Sequence, residues 1–234
     1  MKDENKTTKL KVKIEKPGNY GLGYINGDIS EDKPTIIDWG NGMSTKLTTP
    51  ITSYMKAKNS TDFYITYSEP GEYEISIDGW YNHFACYDFE TWKSGVTQIY
   101  EVLIEVVQVS SLITSFFYTF SACSSLTSIP SGLFENNTNV TDFFSAFYGC
   151  SSLTNIPSGL FNKNAKVTDF SLAFIGCSNL TGETPYTLSS DGVTKIKLWD
   201  SDETNGFTNP IKTGRTFYGC TKLSDYEDIP IGWK

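Results

Sequence analysis

Five cysteines, one histidine and one short acidic knot are the residues of this sequence whose types could do chemistry. Cys123, Cys150 and Cys177 are each 27 residues apart, Cys220 follows after a longer gap, and Cys86 stands alone upstream. A zinc site needs four ligands converging on one point. A fixed period instead distributes one thiol per unit along a line. The spacing therefore predicts a structural ladder of small buried thiols, Cys123, Cys150, Cys177 and Cys220, because an unpaired cysteine behaves as a small apolar residue. Phe120, Phe147, Phe174 and Phe217 precede those cysteines by three residues in every case and belong to the same ladder. An odd number of cysteines also fits a closed disulfide framework poorly.

The histidine, His83, lies three residues from Cys86. A nucleophilic Cys/His pair is conventionally distant in sequence and needs a third, orienting group. Neither G-x-S-x-G, H-E-x-x-H, a phosphate-binding glycine loop nor C-x-x-C occurs. The acidic knot, D-S-D-E-T-N-G from Asp200, carries Asp200, Asp202 and Glu203 but lacks the glutamate at the twelfth position of a calcium loop. The expectation is no catalysis, no metal and no cofactor.

A net charge of −8 over 234 residues repels phosphate backbones, so nucleic acid is a disfavoured partner. No apolar run reaches the roughly 18 residues of a membrane span. The opening M-K-D-E-N-K-T-T-K-L-K-V-K lacks the apolar stretch of a secretory signal.

The elements that must carry these residues fall into two parts after a polar lead-in over 1–7. Leu10, Val12 and Ile14 alternate with lysines, which predicts a half-buried strand. A strand running into Gly40-Asn41-Gly42, another over 63–67, and one with alternating Tyr73, Ile75 and Ile77 follow. Short strands separated by turns predict an antiparallel sandwich over 8–107. The run over 95–110 is rich in β-branched residues and is expected to be a single strand linking the two parts. Between them, residues 80–92 hold six aromatics and His83. Such a cluster is either a partner surface carrying Trp80, Tyr81 and Trp92 or a packed junction, and the junction is preferred.

From 113 onward one unit is written three times, as I-T-S-F-F-Y-T-F-S-A-C-S-S-L-T-S-I-P-S-G-L-F, then V-T-D-F-F-S-A-F-Y-G-C-S-S-L-T-N-I-P-S-G-L-F, then V-T-D-F-S-L-A-F-I-G-C-S-N-L-T. A period in this range is the signature of a stacked array, whose single unit cannot bury its own apolar face. L-T-S-I-P and L-T-N-I-P are expected as short strands, and F-S-A-F-Y-G-C as one helical or 3₁₀ turn ended by Gly149. The fold class read from the sequence is mainly β with short helical turns. It combines the sandwich with a solenoid over 108–234, an insertion at 191–210 and a C-terminal cap at 221–234.

Two resemblances refine this. Asp38-Trp39-Gly40-Asn41-Gly42 together with Tyr67, Gly71 and Tyr73 resembles the polycystic-kidney-disease (PKD) type of Ig-like module, with Ile65 where that family usually has histidine. C-S-S-L-T-x-I-P-S-G-L-F and the F-x-G-C motifs ending at Cys150, Cys177 and Cys220 resemble BspA-type leucine-rich-repeat surface proteins. That family occurs in gut and oral bacteria, in some protists and in phage tail or fibre proteins. The resemblance implies adhesion and protein or glycan binding without catalysis. The expected function is a non-enzymatic structural or adhesion protein of a phage virion, assembled in the host cytoplasm, with a bacterial cell-surface adhesin or a glycan-binding module as alternatives. Expected partners are other virion or surface proteins and a host glycan or receptor. A homo-oligomer is admitted because weak adhesive sites gain from multivalency. The expected contact residues are Ser128 and Asn155 on the outward side of the repeats, Trp199, Asp200 and Asp202 in the insertion, and Trp80, Tyr81 and Trp92 before the first repeat.

Overall fold

Alternation decides the first strand. In β1 (Thr7–Ile14), Thr8, Leu10, Val12 and Ile14 turn inward while Lys9, Lys11 and Lys13 turn to solvent. The computed structural model describes residues 6–49, 64–86, 96–200 and 212–234, and its regular structure is mainly β with few helices. Strands β2 (Gly18–Gly21), β3 (Tyr24–Gly27), β4 (Thr35–Asp38), β5 (Ser44–Leu47), β6 (Tyr64–Tyr67), β7 (Gly71–Asp78), β8 (Tyr81–Ala85), β9 (Val96–Gln98) and β10 (Leu103–Gln108) complete the first part. One sheet has the order β10-β1-β7-β4-β5 and is antiparallel throughout. A second has the order β6-β2-β9, with β2 and β9 parallel. A third pairs β3 with β8.

The expected strand over 95–110 is interrupted. A single helical turn, α1 (Ile99–Val102), separates β9 from β10. Buried Ile99, Leu103, Val106 and Val109 are spaced four, three and three, which an unbroken period-two strand cannot satisfy. The helical turn and two register shifts against β1 reconcile the spacing with the core.

The tryptophan of the Gly-Asn-Gly turn organises this part. Trp39 is fully buried, its Nε1–H donates to Thr45 Oγ1 (3.0 Å), and its carbonyl accepts from the Tyr67 hydroxyl (2.7 Å). Gly40 has φ +75°, and a Cβ there would sit 2.5 Å from the Glu74 carbonyl oxygen, so only glycine fits.

From Ile113 the chain winds into rungs that hydrogen-bond to one another. Parallel bridges join Ser115 to Asp142, Asp142 to Asp169, and Asp169 to Lys212. The N–H groups of Phe143, Ser145, Phe147 and Gly149 donate to the carbonyls of Asp169, Ser171, Ala173 and Ile175 in the next rung. The intervening Ala146, Tyr148 and Cys150 N–H groups close tight turns onto Phe143, Ser145 and Phe147 of their own rung. Alternate amides thus serve the stack and the turn, and the same division recurs one rung up and one rung down. These linked turns, with no regular helix over 143–150, stand where one helical or 3₁₀ turn was expected. Turns of this kind need left-handed residues. Ala122, Gly149, Gly176 and Gly219 take that conformation at one repeated position, and Tyr118, Ser145, Leu172 and Arg215 take it at another despite carrying side chains.

The expected strands at L-T-S-I-P and L-T-N-I-P do not form. Leu126 and Leu153 N–H groups turn back onto Cys123 and Cys150, and Pro130 and Pro157 have no N–H to offer. One cross-rung backbone bond remains at each level there, from Thr154 N–H to Thr127 and from Thr181 N–H to Thr154.

The two parts share one core, continuous from Leu10 to Trp233. The joint reproduces a rung interface: Cys86 N–H donates to the Thr119 carbonyl (2.8 Å), Thr114 N–H to Asn82 (3.0 Å), and the Thr119 hydroxyl to Phe84 (2.9 Å). At the other end a hairpin of β11 (Tyr186–Leu188) and β12 (Lys195–Lys197) leaves the stack. β12 falls within the expected insertion at 191–210, and β11 precedes it.

Candidate functional site

The inward side of the rungs is built from repeated letters and is closed to ligands. Phe120, Phe147, Phe174 and Phe217 stack at centroid distances of 5.4, 5.3 and 5.6 Å, and Trp233 continues the column at 6.3 Å. Phe116, Phe143 and Phe170 form a second column at 5.1 and 5.5 Å. The cysteine ladder lies among them. Cys150, Cys177 and Cys220 each donate Sγ–H to the carbonyl of the phenylalanine one rung back, Phe120, Phe147 and Phe174, at 3.1, 3.1 and 3.0 Å. Burial pushes the Cys123, Cys177 and Cys220 thiols well above their ordinary range, so they stay protonated and unreactive. Buried Asn137 and Asn164 add an amide ladder. Asn164 Nδ2 donates to Phe134 (3.1 Å) and Asn137 (2.9 Å), and Asn137 Nδ2 donates to Ser110 (2.8 Å).

The outward side of the same turns carries different chemistry. Tyr148, Ile175 and Tyr218 occupy one position in three successive rungs: their carbonyls accept in turn from Ala122, Gly149 and Gly176. Tyr148 is 43% exposed and Tyr218 56% exposed, with Ile175 half-buried between them. Phe117 and Phe144, also half-buried, stack on one another at 5.3 Å, and the Arg215 guanidinium lies 5.7 Å from the Tyr218 ring centroid. Asp142 and Asp169 border this strip. Each carboxylate accepts from the amide two residues on, Phe144 at 2.7 Å and Ser171 at 2.8 Å. Burial, with Asp169 one rung away, raises the Asp142 carboxyl above its ordinary value. An apolar, aromatic strip with a few fixed polar groups is the composition of a contact surface. The sequence reading missed it. Its signal was the middle letter of F-x-G-C, the one variable position inside an otherwise fixed motif.

The expected contact residues do not converge on one site. Ser128 and Asn155 are exposed on a different face, beside the threonine ladder in which Thr154 and Thr181 hydroxyls donate to Thr127 and Thr154 one rung back. Trp80 is 40% exposed, and Lys6 and Lys33 place their ammonium groups 4.7 and 5.2 Å from its ring centroid. Tyr81 is corrected: it is 1% exposed, and its hydroxyl accepts from Thr8 N–H (3.1 Å) and donates to Ile77 (3.0 Å), so it is a core residue. β8 begins at Tyr81, which faces the core, while its neighbour Trp80 just ahead of the strand stays outside. Trp92 and Asp202 lie outside the described residues. Asp200 is exposed, whereas Trp199 packs against the core, edge-on to Trp233 at 6.2 Å.

His83 belongs to the joint. Its Nε2–H donates to the Phe117 carbonyl (2.8 Å), the place that a backbone amide fills between later rungs, and burial lowers its pKa from 6.5 to about 4. The hairpin is fastened by charge. Lys197 Nζ reaches Asp225 Oδ2 (2.6 Å) and Glu183 Oε2 (3.1 Å), and the Thr184 hydroxyl and amide also bind Asp225. Burial opposes ionisation of Asp225, but Lys197 and Thr184 outweigh it and hold the carboxyl below its ordinary value.

Among the described residues no three His, Cys, Asp or Glu side chains gather as metal ligands would, and no helix is long and apolar enough to cross a membrane. Comparison with protein-family models, curated proteins and solved structures returned no match for the chain.

Proposed function

We propose that the chain is a non-enzymatic adhesion or structural protein, a component of a phage tail or fibre that makes protein and host-surface contacts through its stacked rungs. On this reading the first part is an Ig-like, PKD-type sandwich that serves as a spacer. The rungs form a short leucine-rich-repeat solenoid of BspA type. The observation that carries the proposal is the exposed Tyr148–Ile175–Tyr218 strip on a stack in which Cys150, Cys177, Cys220, Asn137, Asn164 and His83 donate hydrogen bonds across the rungs and the joint. Rigid presentation of a few aromatic side chains favours binding, because little side-chain freedom is lost on contact. Nothing in that strip brings a nucleophile to a base.

The genes flanking the reading frame test the location. Tail or capsid genes on either side are the expected finding. An in-frame signal peptide upstream would overturn the virion reading in favour of the cell-surface adhesin. The contact reading is tested separately, by binding of the fluorescently labelled chain to intact host cells. Tyr148→Asp with Tyr218→Asp should abolish binding, and unchanged binding contradicts the role of the strip.

A further inference from the structure

We infer that the aromatic strip is self-complementary and pairs two copies of this chain antiparallel about a two-fold axis. The inference rests on the reading of the strip as a contact surface and names its partner.

The outward positions change systematically along the stack. One position runs Phe117, Phe144, Ser171, Gly214, and the cross-rung bonds from Tyr118 to Phe144, from Ser145 to Ser171 and from Leu172 to Gly214 confirm the alignment. Side-chain volume falls from a phenyl ring to a hydrogen atom. The same strip therefore has knobs at one end and a hollow at the other. A Cβ on Gly214 would meet nothing closer than Ser171 Oγ at 3.9 Å, so the hollow opens outward instead of into the chain.

Charge follows the same gradient. The bordering position runs Ser115, Asp142, Asp169, Lys212, and Arg215 lies three residues beyond Lys212. Asp142, Asp169, Lys212 and Arg215 sum to zero in a chain whose net charge is −8. This strip is thus locally neutral on an acidic molecule, and two copies meeting there escape the repulsion that opposes contact elsewhere.

Antiparallel pairing brings these gradients together. With the third rung facing itself, the second rung of one copy lies opposite the fourth rung of the other. Phe144 then enters the hollow at Gly214 of the second copy, Tyr148 meets Tyr218, and Asp142 meets Lys212. Leu172 and Ile175 lie on the axis. Every contact off the axis occurs twice, as an isologous interface requires. Parallel pairing would set each rung against its own copy, so that the second rungs with Phe144 would meet each other and so would the fourth rungs with Lys212 and Arg215.

Sedimentation velocity of the full chain over a rising concentration series tests this. The wild type should pass from monomer to dimer. Tyr148→Asp, Tyr218→Asp and Gly214→Trp should each weaken the dimer at least about tenfold, the scale of a central interface residue. Their melting temperatures at dilute, monomeric concentration should equal that of the wild type, which separates lost pairing from lost folding. A wild type that stays monomeric throughout, or variants that dimerise as it does, overturns the inference. Host-cell binding read on the same proteins keeps the two readings apart. A monomer whose cell binding is lost in Tyr148→Asp retains the contact surface and refutes the pairing. A dimer that binds no cells supports the pairing and refutes the adhesive role.

Discussion

Phe147 and Tyr148 are chain neighbours with opposite duties. Phe147 sits in a column of rings, is almost fully buried and recurs as Phe120, Phe174 and Phe217. Tyr148 points out of the same turn, is replaced by Ser121 and Ile175 in adjacent rungs, and touches solvent. The inward letters repeat because each rung must present the same surface to the next. The outward letters are released from that requirement, so they can differ from rung to rung and encode a partner. In a stacked protein, repetition marks what holds the fold and variation marks what the fold displays.

The sharpest way to break that contrast is to truncate the column. Phe147→Ala removes a ring packed between Phe120 and Phe174 and should cost about 3–5 kcal/mol, as large-to-small changes in a filled core do. Urea denaturation of the full chain reads it, and a loss below about 1 kcal/mol would deny the column its structural role.

The joint gives the next largest effect. His83 is neutral in the fold down to about pH 4 and titrates at its ordinary 6.5 when unfolded. Between those values the unfolded chain binds more protons. Stability is therefore complete above pH 6.5 and is lost as the pH falls toward 4, by up to about 3 kcal/mol. Asp142, with its raised carboxyl, opposes this at the acidic end. The difference between wild type and His83→Gln across pH 7 to 4.5 isolates the histidine, and parallel curves would contradict its placement.

Ser145→Gly should move stability the other way. Ser145 holds φ +53°, a left-handed conformation that costs a side-chain-bearing residue roughly 1–2 kcal/mol, and its buried hydroxyl has no hydrogen-bond partner. Glycine removes both penalties at some cost in unfolded-chain entropy, for a net gain of about 1 kcal/mol. A rise of a few degrees in melting temperature is expected, and a fall would contradict it. The smallest effect belongs to the strip. Tyr148→Ala, measured at dilute concentration, should change folding stability by less than about 0.5 kcal/mol, as exposed sites do.

What the letters revealed follows the same division. The cysteine and phenylalanine ladders were legible because one residue type recurs at one interval. The strand of alternating Leu10, Val12 and Ile14 was legible because its period matches its pleat. The path of L-T-x-I-P was not, since Leu153 N–H spends itself on a turn and Pro157 has none, and neither fact shows in apolar spacing. Tyr81 and Trp80 are both aromatic, and only the direction of β8 separates the core residue from the exposed one. The strip escaped because exposure is a property of the turn: Tyr148, Ile175 and Tyr218 share no letter that a search for repeats would align.

Hydroxyl-radical footprinting of the full chain, at dilute and at high concentration, tests the central claim most directly. Displayed residues, not repeated ones, should sense a partner. Labelling of Tyr148 and Tyr218 should fall with concentration, while exposed Met43 and Trp80, in the first part of the chain, label equally at both. Equal labelling of the two tyrosines at both concentrations, or protection that appears at Met43 and Trp80 instead, would contradict the account.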